Sequence, residues 1–135
     1  MINYVAVLLA AVAAMIVGSL WYSPLLFGKR WGAEMLLGKK TPAPVKSEMI
    51  IAMVGMFLGA IVMSYVLAYM FLAVGVDTLV GAITVAAWLW LGFVVVPAAS
   101  MVLFERRSLS LFMITVGNFL VTILAETLVL MYFVS

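Results

Sequence analysis

The sequence predicts an all-α fold, that of a polytopic membrane protein with four transmembrane helices. Hydrophobic residues make up 69% of its 135 residues and charged residues only 9%, a balance unlike that of a soluble domain. A helix rises about 1.5 Å per residue, so about 20 apolar residues cross about 30 Å of hydrocarbon. Four apolar segments reach that length, at about 3–22, 48–74, 78–103 and 109–133. We therefore expect a single four-helix transmembrane domain over residues 1–135.

The ends of these spans follow from local chemistry. Trp21 and Tyr22 close the first span with rings suited to the headgroup boundary, and Pro24 disfavours helix through the residue before it. Ser47 is placed to cap the second span. Asp77 is placed to cap the third, at the positive end of its helix dipole. The fourth span follows a basic connection.

A short helix is predicted between the first two spans, over about 25–37. Phe27, Trp31 and Met35 recur every four residues and form one stripe, while Lys29 and Arg30 lie off it. This pattern is typical of a helix lying in the headgroup layer, with its basic residues near anionic lipid. Two interpretations are open, namely a loop that only anchors the chain and a specific site for a lipid or a partner.

The positions of the basic residues predict the orientation of the chain. The first connection contains five of them and the third contains two, whereas the second contains none. By the positive-inside rule, loops 23–47 and 104–108 are cytoplasmic and both termini lie outside. The residues that set this orientation are Lys29, Arg30, Lys39, Lys40, Lys46, Arg106 and Arg107.

Composition also bears on which activities are expected. The chain has no cysteine and no histidine, and its five carboxylates are scattered. These absences remove thiolate ligands and nucleophiles together with the commonest metal ligand and general base. We therefore expect no enzyme activity, no metal and no cofactor. The net charge of +2 gives no argument for nucleic-acid binding.

Small residues repeat every four positions along the spans and predict faces for helix packing. In lipid, helices associate where small residues let their backbones approach closely. The second span has such residues on two opposite sides, which is the property of a central helix. Packing within the chain is one interpretation and a homodimer contact is the other. The residues on these faces are Ala6, Ala10, Ala14 and Gly18; Gly55 and Gly59, opposite Ala60, Ser64 and Ala68; and Gly81, Thr84, Trp88 and Gly92.

Trp90 is predicted to point away from the face that contains Trp88, because two residues along a helix turn by about 200°. If Trp88 faces the bundle, Trp90 then faces lipid or another subunit. Pro97, further along the same span, predicts a kink because it has no N–H to donate.

A polar stripe in the fourth span is the main candidate for a functional site. Thr115, Asn118, Thr122 and Glu126 lie three, four and four residues apart, on one helical face. A bare carboxylate at this depth costs several kcal/mol, so the group must face the bundle, be protonated or meet water. A proton-coupled transporter needs such a group, and a purely structural carboxyl with one hydrogen bond is the alternative. Tyr65, Tyr69 and Trp88 supply polar groups at a similar level.

Two motifs resemble those of a bacterial family of small membrane proteins of unknown function. They are Gly18-x-x-Trp21-Tyr22-Ser23-Pro24-x-x-Phe27-Gly28-Lys29-x-Trp31, and Trp90-Leu91-Gly92-Phe93 with Pro97. The resemblance implies a four-span inner-membrane protein and brings no activity, substrate or cofactor. Glu126 is not part of the family pattern. We expect the first motif to form a hinge, in which Pro24 and Gly28 turn the chain, the aromatic rings fix depth, and Lys29 meets phosphate or a helix end.

These observations give two hypotheses about function. The first is a non-enzymatic subunit that forms a homo-oligomer or joins a membrane-protein partner, with lipids as its other partners. The second is a small proton-coupled transporter that uses Glu126.

Overall fold

Four long helices dominate the chain, as the fold-class prediction requires. The computed structural model describes residues 1–36 and 46–134, and this part of the chain contains no strand. Four helices are long and apolar enough to cross a membrane, at Tyr4–Trp21, Lys46–Val74, Leu79–Leu103 and Leu109–Tyr132. We number the helices α1 (Tyr4–Trp21), α2 (Gly28–Leu36), α3 (Lys46–Val74), α4 (Leu79–Trp90), α5 (Val96–Ala98), α6 (Ser100–Leu103) and α7 (Leu109–Tyr132).

Side-chain caps fix where three of the spans begin. The Asn3 carboxamide oxygen accepts from two backbone N–H groups in the first turn of α1, and Ser108 caps α7 in the same manner. Thr78, not Asp77, caps α4, since its extended backbone aims the hydroxyl at an N–H of the first turn. The cap predicted at Ser47 is also wrong, because α3 begins one residue earlier.

The third span is interrupted where the proline predicts a kink. A π-helical turn, Leu91–Val95, follows α4 and precedes Pro97. Proline lacks the N–H that an α-helix needs and crowds the preceding turn, and a wider π turn relieves both problems. The remainder of the span continues as the short helices α5 and α6.

The central helix of the bundle is α7, not α3 as the small-residue pattern predicts. Ten of the 24 residues of α7 are buried, against four of the 29 residues of α3. Helix α1 lies between α3 and α7, and α4 packs on the other side of α7. Because α7 contains the polar stripe, the burial of this helix keeps the polar side chains of the stripe away from the hydrocarbon of the membrane.

The small residues of α1 face the bundle, and so do Ala60 and Ser64 of α3, whereas the predicted packing glycines of α3 and of the third span do not. Ala6, Ala10 and Ala14 are buried, and Gly18 is half-buried. On α3 the packed face is Ala60, Ser64, Leu67 and Phe71. The predicted packing residues Gly55, Gly59 and Gly92 are exposed, and a Cβ at each would meet no atom within 4 Å.

The facing of the two tryptophans in the third span is the reverse of the prediction. Trp88 is 66% exposed, and the indole N–H of Trp90 donates to the backbone carbonyl of Val116 on α7 at 2.8 Å. The face that packs on α7 contains Ala82 and Ala86, both with no exposed surface. These alanines let α4 approach α7 closely, and the buried indole N–H then finds an acceptor.

A short helix does follow the first span, but it starts later than expected. Residues 22–27 form turns, and α2 begins at Gly28, whereas the prediction placed the start at 25. Its predicted end at 37 lies outside the described residues.

Candidate functional site

The polar stripe of α7 points into the bundle. Asn118 and Thr122 are 6% and 7% exposed, and Glu126 has no exposed surface. On the facing side of α3, Ser64 is likewise fully buried. The interior of this apolar protein therefore contains a small polar cluster, which we define as Ser64, Asn118, Thr122 and Glu126.

A hydrogen bond between Ser64 and Glu126 joins α3 to α7 across this cluster. The Ser64 hydroxyl also lies 2.8 Å from the backbone carbonyl of Ala60 on its own helix. A hydroxyl has one proton, so it can donate to only one of these two acceptors. Both contacts are hydrogen bonds at once when the Glu126 carboxyl carries a proton, because the carboxyl then donates to Ser64 and Ser64 donates to Ala60. The geometry thus fits a neutral glutamic acid.

Two acceptors in the cluster have no partner among the residues that the structure describes. They are the Oε1 atom of Glu126 and the Oδ1 atom of Asn118. Leaving a buried acceptor unsatisfied costs about 1–3 kcal/mol. Thr127, beside the cluster, is satisfied, because its hydroxyl donates to the carbonyl of Ile123 at 2.7 Å. The cluster therefore has unused capacity to accept hydrogen bonds.

No basic side chain belongs to the cluster. The spans contain no histidine, and the one basic residue of α3 is Lys46. It lies 18 residues before Ser64, which is about 27 Å along a helix. The described residues also contain no group of three or more metal-ligating side chains of the His, Cys, Asp and Glu types. The chemistry available here is hydrogen bonding and the gain or loss of one proton.

The aromatic residues predicted to join this site lie elsewhere. Tyr65 and Tyr69 are 40% and 57% exposed, and Trp88 is turned outward. The ring of Tyr65 stacks with that of Tyr4, with centroids 6.4 Å apart. Thr122 and Asn118 do share the buried face with Glu126, as the stripe predicts. Ser64 is the partner that sequence reasoning missed, although a hydroxyl on a small-residue face at the depth of a carboxyl is the signal that could have found it.

The first sequence motif forms a second structured region, at the end of the bundle where α1 meets α2. The indole N–H of Trp21 donates to the carbonyl of Ile114 on α7 at 2.9 Å. Its ring lies against Gly117, where a Cβ would be 3.1 Å from the ring. Phe27 also packs against the Trp21 ring, with ring centroids 4.6 Å apart. Trp21 therefore fixes the end of α1 to α7.

Tyr22 and Trp31 make a second set of contacts, which connects α2 to α1 and α7. Their ring centroids lie 5.1 Å apart, and the Tyr22 hydroxyl is hydrogen-bonded to the Thr115 side chain on α7. Thr115 thus belongs to this region and not to the polar cluster.

The turn between α1 and α2 has no room for a side chain at Gly28. A Cβ there would lie 2.3 Å from the carbonyl oxygen of Tyr22 and 2.7 Å from that of Ser23. The Gly28 N–H donates to the same Ser23 carbonyl at 2.9 Å. Pro24 lies inside this turn, and Lys29, the second residue of α2, has an exposed side chain. The motif is thus a joint that docks α2 against α1 and α7.

Comparison with known proteins completes this picture. No curated protein and no solved structure matches the chain. A model of one protein family, described as proteins of unknown function (DUF1761), matches residues 5–131. This match confirms the predicted resemblance to a family of uncharacterised proteins. The chain belongs to the DUF1761 family of proteins of unknown function.

Proposed function

We propose that this protein is a non-enzymatic membrane subunit that acts by associating with a second copy of itself. It resides in a bacterial inner membrane, with both termini outside and loops 23–47 and 104–108 in the cytoplasm. The orientation follows from the positive-inside rule. The bacterial assignment follows from the family resemblance.

The observation that carries the proposal is the outward face of α3 around Gly55 and Gly59. Every residue from 46 to 56 is exposed, so this part of α3 has no packing partner among the described residues. Gly55 and Gly59 lie opposite the packed face, and space at both Cβ positions is open. Two glycines four residues apart are the arrangement through which membrane helices approach most closely. A second copy offers the same face and gives a two-fold symmetric contact.

The closed interior favours assembly over transport. Glu126 has no exposed surface, and two depressions on the surface of the described residues, one beside Phe57 and one beside Asp77, are lined by no residue of the polar cluster. The tyrosines and Trp88 that a substrate path through the bundle would use are on the outside.

Single-cysteine cross-linking tests the contact, because the natural chain has no cysteine. Ala52 lies one turn before Gly55 on the same side of α3, so Ala52→Cys is expected to form a disulfide-linked dimer in native membranes. Ile50→Cys is the matched control, since Ile50 is also exposed but points about 160° away on the helix. Equal cross-linking at both positions, or none at Ala52→Cys, would overturn the proposed contact.

A second candidate function is proton-coupled transport through Glu126. The observation that favours it is that the buried carboxyl and the buried carboxamide of Asn118, two turns earlier on the same face of α7, each have one oxygen without a partner among the described residues. In proteoliposomes on a solid-supported membrane, a proton-coupled protein gives a transient current after a pH jump. Glu126→Gln is expected to abolish that current, and Thr122→Ser is the control that keeps the hydroxyl. A wild-type protein that gives no current beyond empty liposomes rejects this candidate.

A further inference from the structure

We propose that the junction of α2 and α7 binds the phosphate of an anionic phospholipid through Lys29, Arg30 and Arg106. We call these three residues the basic junction. They come from two connections that are far apart in sequence, and the fold brings both to the same end of the bundle. This proposal is independent of the association of two copies.

Arg30 is positioned by a contact with α7. Its Nε donates to the Ser110 hydroxyl at 2.6 Å, and this bond uses one of the five N–H donors of the guanidinium. The terminal nitrogens are left to meet a ligand, and a planar guanidinium suits a phosphate because it can donate two parallel hydrogen bonds. Lys29 is the preceding residue of α2 and is exposed.

Arg106 reaches the same region from the connection before α7. It lies four residues before Ser110, so their Cα atoms are within about 14 Å of each other. Its φ of 55° is in the left-handed region, which residues other than glycine seldom adopt. The hydrogen bonds of its two neighbours, Glu105 N–H to Ser100 and Arg107 N–H to Met101, hold the turn in place. The side chain of Arg106 is exposed.

The surroundings of the basic junction match a lipid better than a free anion. Apolar side chains close to these residues in sequence are exposed on both connections, with Leu25 at 86% and Phe104 at 84%. Trp21 and Trp31 lie at the same end, and their ring type is enriched at the membrane boundary. A phospholipid offers a phosphate to the cations and acyl chains to these apolar side chains, whereas inorganic phosphate offers only the former.

The charge balance at this end is favourable for an anion. The described residues of α2 and of the connection before α7 include four basic side chains and two acidic ones, Glu34 and Glu105. The excess is positive, and each basic group near an anionic surface strengthens binding. Arg107 adds to this charge, but its side chain is already engaged.

Native mass spectrometry of the purified full chain tests the site, with lipid titrated into a nonionic detergent. Phosphatidylglycerol is expected to form a one-to-one adduct at concentrations at which phosphatidylcholine does not. In Lys29→Gln and in Arg106→Gln, the dissociation constant is expected to rise about fivefold for each charge removed. Lys46→Gln is the matched control, because it removes one basic residue from the start of α3, and it leaves the adduct unchanged.

Two further arms separate the alternatives. Ser110→Ala removes the partner of Arg30 and keeps every charge, so it weakens the adduct only if the position of Arg30 matters. Inorganic phosphate is added at 100-fold excess over the lipid, a concentration ratio that corresponds to about 2.7 kcal/mol of binding free energy. The lipid adduct remains in place if the acyl chains contribute to binding. Equal binding of the two lipids, or an equal loss in Lys46→Gln, overturns the proposal. Complete displacement by phosphate shows a free-anion site and overturns the lipid assignment.

Discussion

Replacing Ser64 by alanine is the sharpest test of the polar cluster. The hydroxyl is fully buried and provides the one hydrogen-bond partner of Glu126 among the described residues, while alanine fills nearly the same space. The variant therefore leaves both oxygens of a buried carboxyl without a partner, where the natural chain leaves one. Interhelical hydrogen bonds in membrane proteins contribute about 0.6 kcal/mol on average and up to about 1.7. An added unsatisfied buried group costs about 1–3 kcal/mol, so we expect a loss of about 1–2 kcal/mol in unfolding free energy.

The assay is equilibrium unfolding in mixed micelles of a mild detergent and SDS, followed by tryptophan fluorescence. Thr127→Val is the matched control, since Thr127 is just as buried but its hydroxyl bonds only to its own helix. It is expected to cost less than about 0.5 kcal/mol, because this back-bond does not stabilise the helix.

A double-mutant cycle assigns the loss to the pair. Glu126→Met keeps an unbranched side chain of similar length and removes both carboxyl oxygens, so alone it deletes the hydrogen bond to Ser64 without leaving a buried carboxyl. Combined with Ser64→Ala, it yields the coupling energy between the two positions. A loss in Ser64→Ala no larger than that in Thr127→Val would refute the reasoning, because the interhelical bond would then contribute nothing measurable.

Three more substitutions probe other parts of the structure. Gly28→Ala places a methyl group against two carbonyl oxygens, so it is expected to cost about 1–3 kcal/mol and to expose α2 to limited proteolysis. Gly59→Ala enters open space, so the monomer gains up to about 1 kcal/mol of helix propensity while cross-linking at Ala52→Cys falls. Trp21→Phe keeps a ring and loses the hydrogen bond to Ile114, which is expected to cost about 0.5–1.5 kcal/mol in the same unfolding assay.

The extents of the spans could be read from the sequence, but the facing of α3 and of the third span could not. Span length follows from hydropathy and from the few charged residues between segments, and these signals are strong here. Which side of a helix faces the bundle can be predicted only when its sides differ in chemical composition. Both helices are apolar all round, so the positions of small residues were the available evidence for which side packs inward. In the third span, two different sets of small residues could have formed the packed side. The alanines Ala82 and Ala86 pack inward and Gly92 does not, a choice decided by the shape of α7.

The facing of α7 was predictable because its sides differ chemically. Asn118, Thr122 and Glu126 cannot face lipid cheaply, and all three are buried. What the sequence lacked was the identity of the group opposite them. Ser64 resembles its small neighbours in size, and its role depends on the depth at which α3 crosses α7, which is a property of tertiary packing alone.

The two tryptophan contacts explain why the polar cluster faces α3 and not another helix. Trp21 from α1 and Trp90 from α4 donate to the carbonyls of Ile114 and Val116, so two helices hold α7 from different sides within less than one turn. Asn118 follows two residues later. A helix held at two carbonyls about 200° apart cannot rotate freely about its axis. These two hydrogen bonds therefore set the direction in which the side chains of the next turns point. Trp90→Phe is therefore expected to lower the Ser64–Glu126 coupling energy measured by the double-mutant cycle, although Trp90 is distant in sequence from both Ser64 and Glu126. Trp88→Phe, the matched control on the exposed side of the same helix, is expected to leave the coupling unchanged, and equal effects from the two variants would show that α7 is oriented by other contacts.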